Sequence, residues 1–98
     1  MPMEWIIHPE AAHDAREIAA KYAGVSPDLA DRFWSEMDST IDGIASFPER
    51  HHYDPSGLRR SNLVKFPYHI LFEQRLDCIR IIVIRHHHRS PSYGLGRR

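Results

Sequence analysis

One cysteine, Cys78, is all the chain contains, so no internal disulfide framework can staple it, and a reducing compartment suits it. Long hydrophobic runs are missing too. The longest apolar stretch, Ile81 to Ile84, falls far short of the roughly 20 residues that cross a bilayer, and no secretory apolar region follows Met1. The expectation is a cytoplasmic protein that makes no membrane contact. Acidic residues are scarce in the second half, and basic ones in the first. Up to Glu49 there are three basic residues (Arg16, Lys21, Arg32) against ten acidic; from Arg50 on there are three acidic (Asp54, Glu73, Asp77) against ten basic. A net charge of zero therefore hides a −7/+7 division, and six of the eight histidines lie in the basic half. Either an anionic partner meets the C-terminal half, or the two halves face and neutralise each other.

What is present fits an ordinary globular domain. With 98 residues, 42% apolar and 27% charged, the chain is expected to form a single domain over residues 1–98. Residues 2–8 read as a short strand, with Met3, Trp5 and Ile7 on one face. Residues 9–23 read as a helix: Pro9 suits its first position, Glu10 its positive end and Gly24 its stop, while Ala11, Ala15, Ile18 and Tyr22 form an apolar stripe. A second helix over residues 26–47 opens on the cap Ser26 and on Pro27. It carries Ala30, Phe33, Met37, Ile41 and Ile44 as its stripe and ends at Phe47-Pro48. The short link predicts an antiparallel hairpin.

Asp54-Pro55-Ser56-Gly57 is a turn signal, and residues 58–85 hold three strands, near 58–66, 68–74 and 78–85. Phe66, Tyr68, Ile70 and Phe72 alternate as one half-buried face. In the last strand Ile79, Ile81 and Val83 share one face, and Ile82 and Ile84 share the other with Arg80. Apolar residues on both faces predict a central strand covered on each side. The fold class is α+β: an N-terminal strand, an antiparallel two-helix hairpin, then a three-stranded antiparallel meander completing a twisted sheet. The hairpin covers one face; the other should display part of the basic set. Residues 86–98 remain as a basic C-terminal tail.

Four groups could carry chemistry. His86 and His88, at i and i+2 on a strand, could chelate one ion, but a structural zinc site needs about four ligands and Cys78 has no partner cysteine. Polar residues at a strand exit are the simpler account of the triplet, so no metal and no cofactor is expected. Arg59, Arg60, Lys65 and His69 are the second group; guanidinium groups there could hold phosphates, or the residues could simply be solvated. Arg85, Arg89, Tyr93, Arg97 and Arg98 are the third. Basic residues interleaved with an aromatic fit nucleic acid, and a histidine with an arginine could support a metal-free ribonuclease step. The last group, "FPYHILF", reads first as core.

These residues spell a known pattern. With "HPEAAHDAREIAAKY" and "LADRF" in the helices, "LRRSNLVKFPYHILFE" in the middle strands and "IIVIRHHHRSPSY" at the end, the chain resembles the ParE/RelE superfamily of small bacterial toxins from type II toxin–antitoxin modules. The resemblance runs from Ile7 to Arg98 and implies a helical hairpin on a twisted antiparallel sheet. RelE-like members cut mRNA on the ribosome; ParE-like members poison DNA gyrase. "FPYHILF" is closer to the ParE and plasmid-stabilisation branch, since His69 stands where RelE-like enzymes often have an arginine. His86, Arg89 and Pro91 match that branch's terminal element, His87, His88 and Ser90 depart from it, and Gly94 stands where a tryptophan is common. The resemblance thus implies a gyrase-type toxin neutralised by a cognate antitoxin, in a higher-order toxin–antitoxin complex. Arg59, Arg60, Lys65, Arg85, Arg89, Arg97 and Arg98 would bind the target or phosphate. The alternative is a ribosome-dependent mRNA endoribonuclease, with His69, His86, His88 and Tyr93 as its acid/base candidates.

Overall fold

The computed structural model describes residues 2–97. Its elements are β1 (Glu4–Ile7), α1 (Pro9–Ala23), α2 (Pro27–Ser46), β2 (Arg59–Asn62), β3 (Tyr68–Gln74) and β4 (Cys78–His86), with 3₁₀ turns at Pro48–Arg50 and Leu95–Arg97. Both helices open on a side chain that accepts a first-turn donor. His8 Nδ1 accepts from the Glu10 N–H at 3.1 Å, and Ser26 Oγ accepts from the Leu29 N–H at 3.1 Å. Proline follows each cap, where no N–H is needed. α2 stops at Phe47, whose φ of −143° and ψ of 65° lie outside the helical region that a following proline disfavours. The expected stripes are the buried faces: Ala11, Ala15 and Ile18 from α1, and Ala30, Phe33, Met37, Ile41 and Ile44 from α2. Tyr22 packs half-buried against Phe33 and Phe66. No helix among the described residues is long and apolar enough to cross a membrane.

The sheet has the order β1-β4-β3-β2. β1 lies parallel to β4, while β3 pairs antiparallel with both β2 and β4. The architecture is α+β, as expected, with the helical hairpin packed on one face. β2 is shorter than its sequence suggests. Beyond Asn62 the N–H groups of Val64 and Lys65 donate to the Glu36 carboxylate on α2, so the backbone turns away from the ladder. Lys65 therefore sits in a turn and not on a strand face.

A bulge in β4 corrects the expected division of its faces. Leu71 pairs with Val83 and Phe72 with Ile81, which leaves Ile82 as the extra residue. Beyond it the alternation is reversed. Ile79, Ile81 and Ile84 enter the core under the helices, whereas Ile82 and Val83 join Leu58 and Leu71 on the opposite face. Arg85 follows Val83 onto that side, opposite His69.

That second face is not the open basic surface anticipated. The C-terminal segment returns across it, and Tyr93 and Leu95 pack on Leu58, Leu71, Ile82 and Val83. Burying each of those four side chains contributes on the order of 1.5–3 kcal/mol, enough to favour the covering segment. Gly94 is required at the closest approach. Its φ is +82°, and a Cβ there would lie 2.6 Å from Val83 Cγ2. The tail residues Tyr93, Gly94 and Leu95 are half-buried as a result.

Candidate functional site

Polar side chains gather on both sides of the end of β4. On the face opposite the helices, Arg85 and His69 are paired across β4 and β3 and are only 5% and 1% exposed. Arg85 Nε donates to His69 Nε2 at 2.9 Å. That bond fixes the His69 proton on Nδ1, which lies 2.9 Å from Nδ1 of His87. His87 must then accept at Nδ1 and carry its own proton on Nε2. The two rings are nearly parallel, 7° apart.

Asp54, in the turn before β2, supplies the counter-charge. Its Oδ1 is 3.4 Å from Arg85 Nη2 and 3.6 Å from Arg60 Nη1. Burial pushes the Asp54 carboxyl up, but bonds from Ser56 and the charges of Arg85 and Arg60 outweigh it and leave the group more acidic than usual. Arg85 Nη1 also donates to the Pro91 carbonyl at 2.7 Å, tying the tail to the cluster. His69 is driven down to about 3, first by burial and then by the charges of Arg60 and Arg85. His87 is lowered as well, by burial and by Arg60. Both imidazoles are therefore neutral near pH 7. The turn itself forms as the sequence suggested, with Gly57 at a φ of 88°.

On the helix side a second cluster centres on Asp14 of α1. β1 ends at Ile7, and the ladder closes with the His8 N–H donating to the Ile81 carbonyl. The next stretch of β4 edge faces α1 instead. Asp14 Oδ2 accepts the Ile84 N–H at 3.2 Å, and Arg97 Nη1 donates to the Ile82 carbonyl at 3.2 Å. Asp14 also accepts from the Tyr93 hydroxyl and from Arg97, each at 2.6 Å. The bond to Asp14 raises the Tyr93 hydroxyl above its ordinary pKa, and burial adds to it. Asp14 was not among the candidate residues read from the sequence. Its position in the stripe, three residues after Ala11 and four before Ile18, was the available signal.

The candidate residues thus separate. Arg60, His69 and Arg85 come together with Asp54 and His87, which complete their cluster. Tyr93 and Arg97 meet at Asp14, and the Arg89 guanidinium lies 4.1 Å over the Tyr93 ring. His86 stacks edge-on to Tyr68 at 5.1 Å and accepts the His88 N–H at Nδ1. Arg59 lies elsewhere, donating to the His51 carbonyl at 2.8 Å and covering the Tyr53 ring. Lys65 is also remote, and Arg98 lies outside the described residues. Among the described residues no three His, Cys, Asp or Glu side chains are grouped to hold a metal ion.

The family of the ParE toxin of the type II toxin–antitoxin system, parDE, matches residues 5–91. The chain belongs to the ParE toxin family. It is a toxin of a type II toxin–antitoxin system, and membership implies a cognate antitoxin as partner. The stretch shared with the ParE family contains Asp14, Asp54, His69, Arg85 and His87; it stops before Tyr93, Gly94 and Arg97, the residues that pin the tail. No curated protein is significantly similar to the chain.

Proposed function

We propose that this ParE-family toxin acts in the cytoplasm by binding and inhibiting a target of the DNA gyrase type, arresting growth until its antitoxin neutralises it. The observation that carries this reading is how three of the four acid/base candidates, His69, His86 and Tyr93, are engaged, His88 being the exposed one. His69 is enclosed and neutral between Arg85 and His87. The Tyr93 hydroxyl is given to Asp14, and His86 Nδ1 to the His88 backbone. A general acid or base needs a free proton position near its ordinary pKa, within reach of substrate. His69 and Tyr93 serve the fold instead, which supports a binding toxin over a nuclease.

The candidate cations not committed to holding the tail are the proposed target contacts: Arg59, Arg60, Lys65 and Arg89. Arg85 and Arg97 contribute by holding the tail in place. An acidic, amphipathic antitoxin segment would fold onto the basic half as it binds. A groove of roughly 370 Å³ beside α2, lined by Leu29, Glu36, Lys65 and Phe66, offers apolar surface next to a lysine and supports that mode.

The test adds antitoxin-free protein to a cell-free translation reaction programmed with finished mRNA, and maps the RNA ends. Intact mRNA and undiminished translation are expected. Discrete new ends on translated mRNA would instead establish the ribosome-dependent endoribonuclease, with His86, His88 and Tyr93 as the next substitutions.

A further inference from the structure

The cleft over the Asp54 cluster holds more positive charge than the described residues lining it neutralise. Among the described residues three arginines line it, Arg60, Arg85 and Arg89, against the single carboxylate of Asp54. His69 and His87 line it as well and are neutral, so the lining carries +2. Its volume is roughly 370 Å³, room for a small ligand.

The donors are not all used. Arg85 spends its guanidinium on His69, Pro91 and Asp54. Arg60 commits only Nε, to Asn62 at 2.8 Å; its two terminal nitrogens reach Asp54 and His87 at 3.6 and 3.4 Å, longer than good hydrogen bonds. The Arg89 guanidinium rests over the Tyr93 ring and makes no hydrogen bond among the described residues. His87 keeps a proton on Nε2, because its Nδ1 is the acceptor for His69.

We propose that this cleft binds a phosphate monoester dianion, held by Arg60, Arg89 and His87. Two negative charges match the uncompensated +2, whereas the single charge of a phosphodiester in a nucleic-acid backbone does not. Guanidinium groups present paired N–H donors that fit the phosphate oxygens, and the Nε2–H of His87 adds a third direction. Pro55, Pro91 and Leu95 give the same cleft apolar walls for the ester's organic part. The proposal deepens the target-binding role given above to Arg60 and Arg89 and rests on it. Its test uses phosphates alone, so failure here leaves gyrase inhibition to be judged separately.

The purified toxin is titrated at about pH 8, where a phosphate monoester is a dianion, with inorganic phosphate, methyl phosphate and dimethyl phosphate. The readout is the imidazole NMR signal of His87, assigned with H87Q. Saturable shifts are expected with the two dianions, and a bound dianion should raise the His87 pKa. R60Q and R89Q should each weaken binding about tenfold, since each removes a charge-assisted hydrogen bond. Tighter binding of methyl phosphate than of inorganic phosphate would assign the site to esters; the reverse would assign it to free phosphate. No saturable shift with either dianion, equal binding of dimethyl phosphate, or R89Q binding like the parent would overturn the proposal. R89Q is the safer variant, because Arg89 is exposed and its loss leaves no buried group unpaired.

Discussion

Arg97 Nη1 lies 2.6 Å from Asp14 Oδ2, joining the C-terminal segment to the first helix across 83 positions of chain. Both side chains are enclosed, 9% and 5% exposed. The same carboxylate takes the Tyr93 hydroxyl and the Ile84 N–H, so one α1 residue closes the β4 edge and pins the tail. Asp14→Ala strands the Arg97 guanidinium without its partner and should cost about 3–5 kcal/mol. Tyr93→Phe keeps the ring packed on the Leu58, Leu71, Ile82 and Val83 cluster and should cost about 1.5–3 kcal/mol, the value of a hydrogen bond to a charged group. Urea unfolding followed by tryptophan fluorescence measures both. Losses below about 1 kcal/mol in both variants would contradict the pin.

Gly94 should be irreplaceable where Gly43 is not. Gly94→Ala adds a Cβ 2.6 Å from Val83 Cγ2 at a φ of +82°, combining overpacking with a conformation that L residues avoid. A loss of about 1–3 kcal/mol is expected. Gly43, inside α2, has nothing within 4 Å of its would-be Cβ. Gly43→Ala should therefore stabilise by about 0.5–1 kcal/mol through helix propensity. Melting temperatures of the two variants moving in opposite directions is the expected result.

The buried imidazole sets a pH dependence of stability. His69 titrates near 3 when folded, against 6.5 for an ordinary histidine. Between those values the unfolded chain binds a proton that the folded one refuses, so stability falls as pH drops from about 6.5 toward 3. The stabilisation is complete above the unfolded value. Arg85 and His87 face His69 directly, Arg60 adds repulsion, and Asp54 opposes it weakly. The lowered His87 and His51 act in the same direction. His69→Gln keeps an acceptor for Arg85 and should flatten the slope in that window by up to about 1.4 kcal/mol per pH unit. Denaturation midpoints measured from about pH 7 to 4 check it; an unchanged slope would count against the neutral imidazole.

The helices were legible in the sequence almost residue by residue. Pro9, Ser26 and Pro27 are start signals of known preference, and Ala11, Ala15, Ile18, Phe33, Met37 and Ile41 recur at helical spacing toward a single core; that His8 caps the first helix was not legible. The bulge at Ile82 was not legible. Ile81, Ile82, Val83 and Ile84 are all β-branched and apolar, so no letter marks where the alternation reverses. The early end of β2 depends on Glu36, which reaches the Val64 and Lys65 N–H groups from another element. The site was half visible. Arg60, His69 and Arg85 stood out as cations and a histidine, but their joining with Asp54 and His87 depends on the bulge and the returning tail. Tyr93 and Arg97 read as a free basic end because their partner, Asp14, lies in the first helix and shows only as an acid within an apolar stripe.

Arg89 should matter more to inhibition than its neighbours in the histidine triplet. It is exposed, its guanidinium makes no hydrogen bond among the described residues, and it lines the +2 cleft. Arg89→Ala should leave stability within about 0.5 kcal/mol, as expected of a surface change. It should weaken target inhibition about tenfold, whereas His88→Ala should not. Dose–response curves of growth arrest on induction, with folded protein levels matched, compare the two.

The most direct test of the account is a supercoiling assay: purified gyrase, relaxed plasmid and ATP, with antitoxin-free toxin added in increasing amounts. The account predicts dose-dependent loss of supercoiling that Arg89→Ala weakens and that prior mixing with the cognate antitoxin abolishes. Undiminished supercoiling at a large molar excess of folded toxin would contradict it.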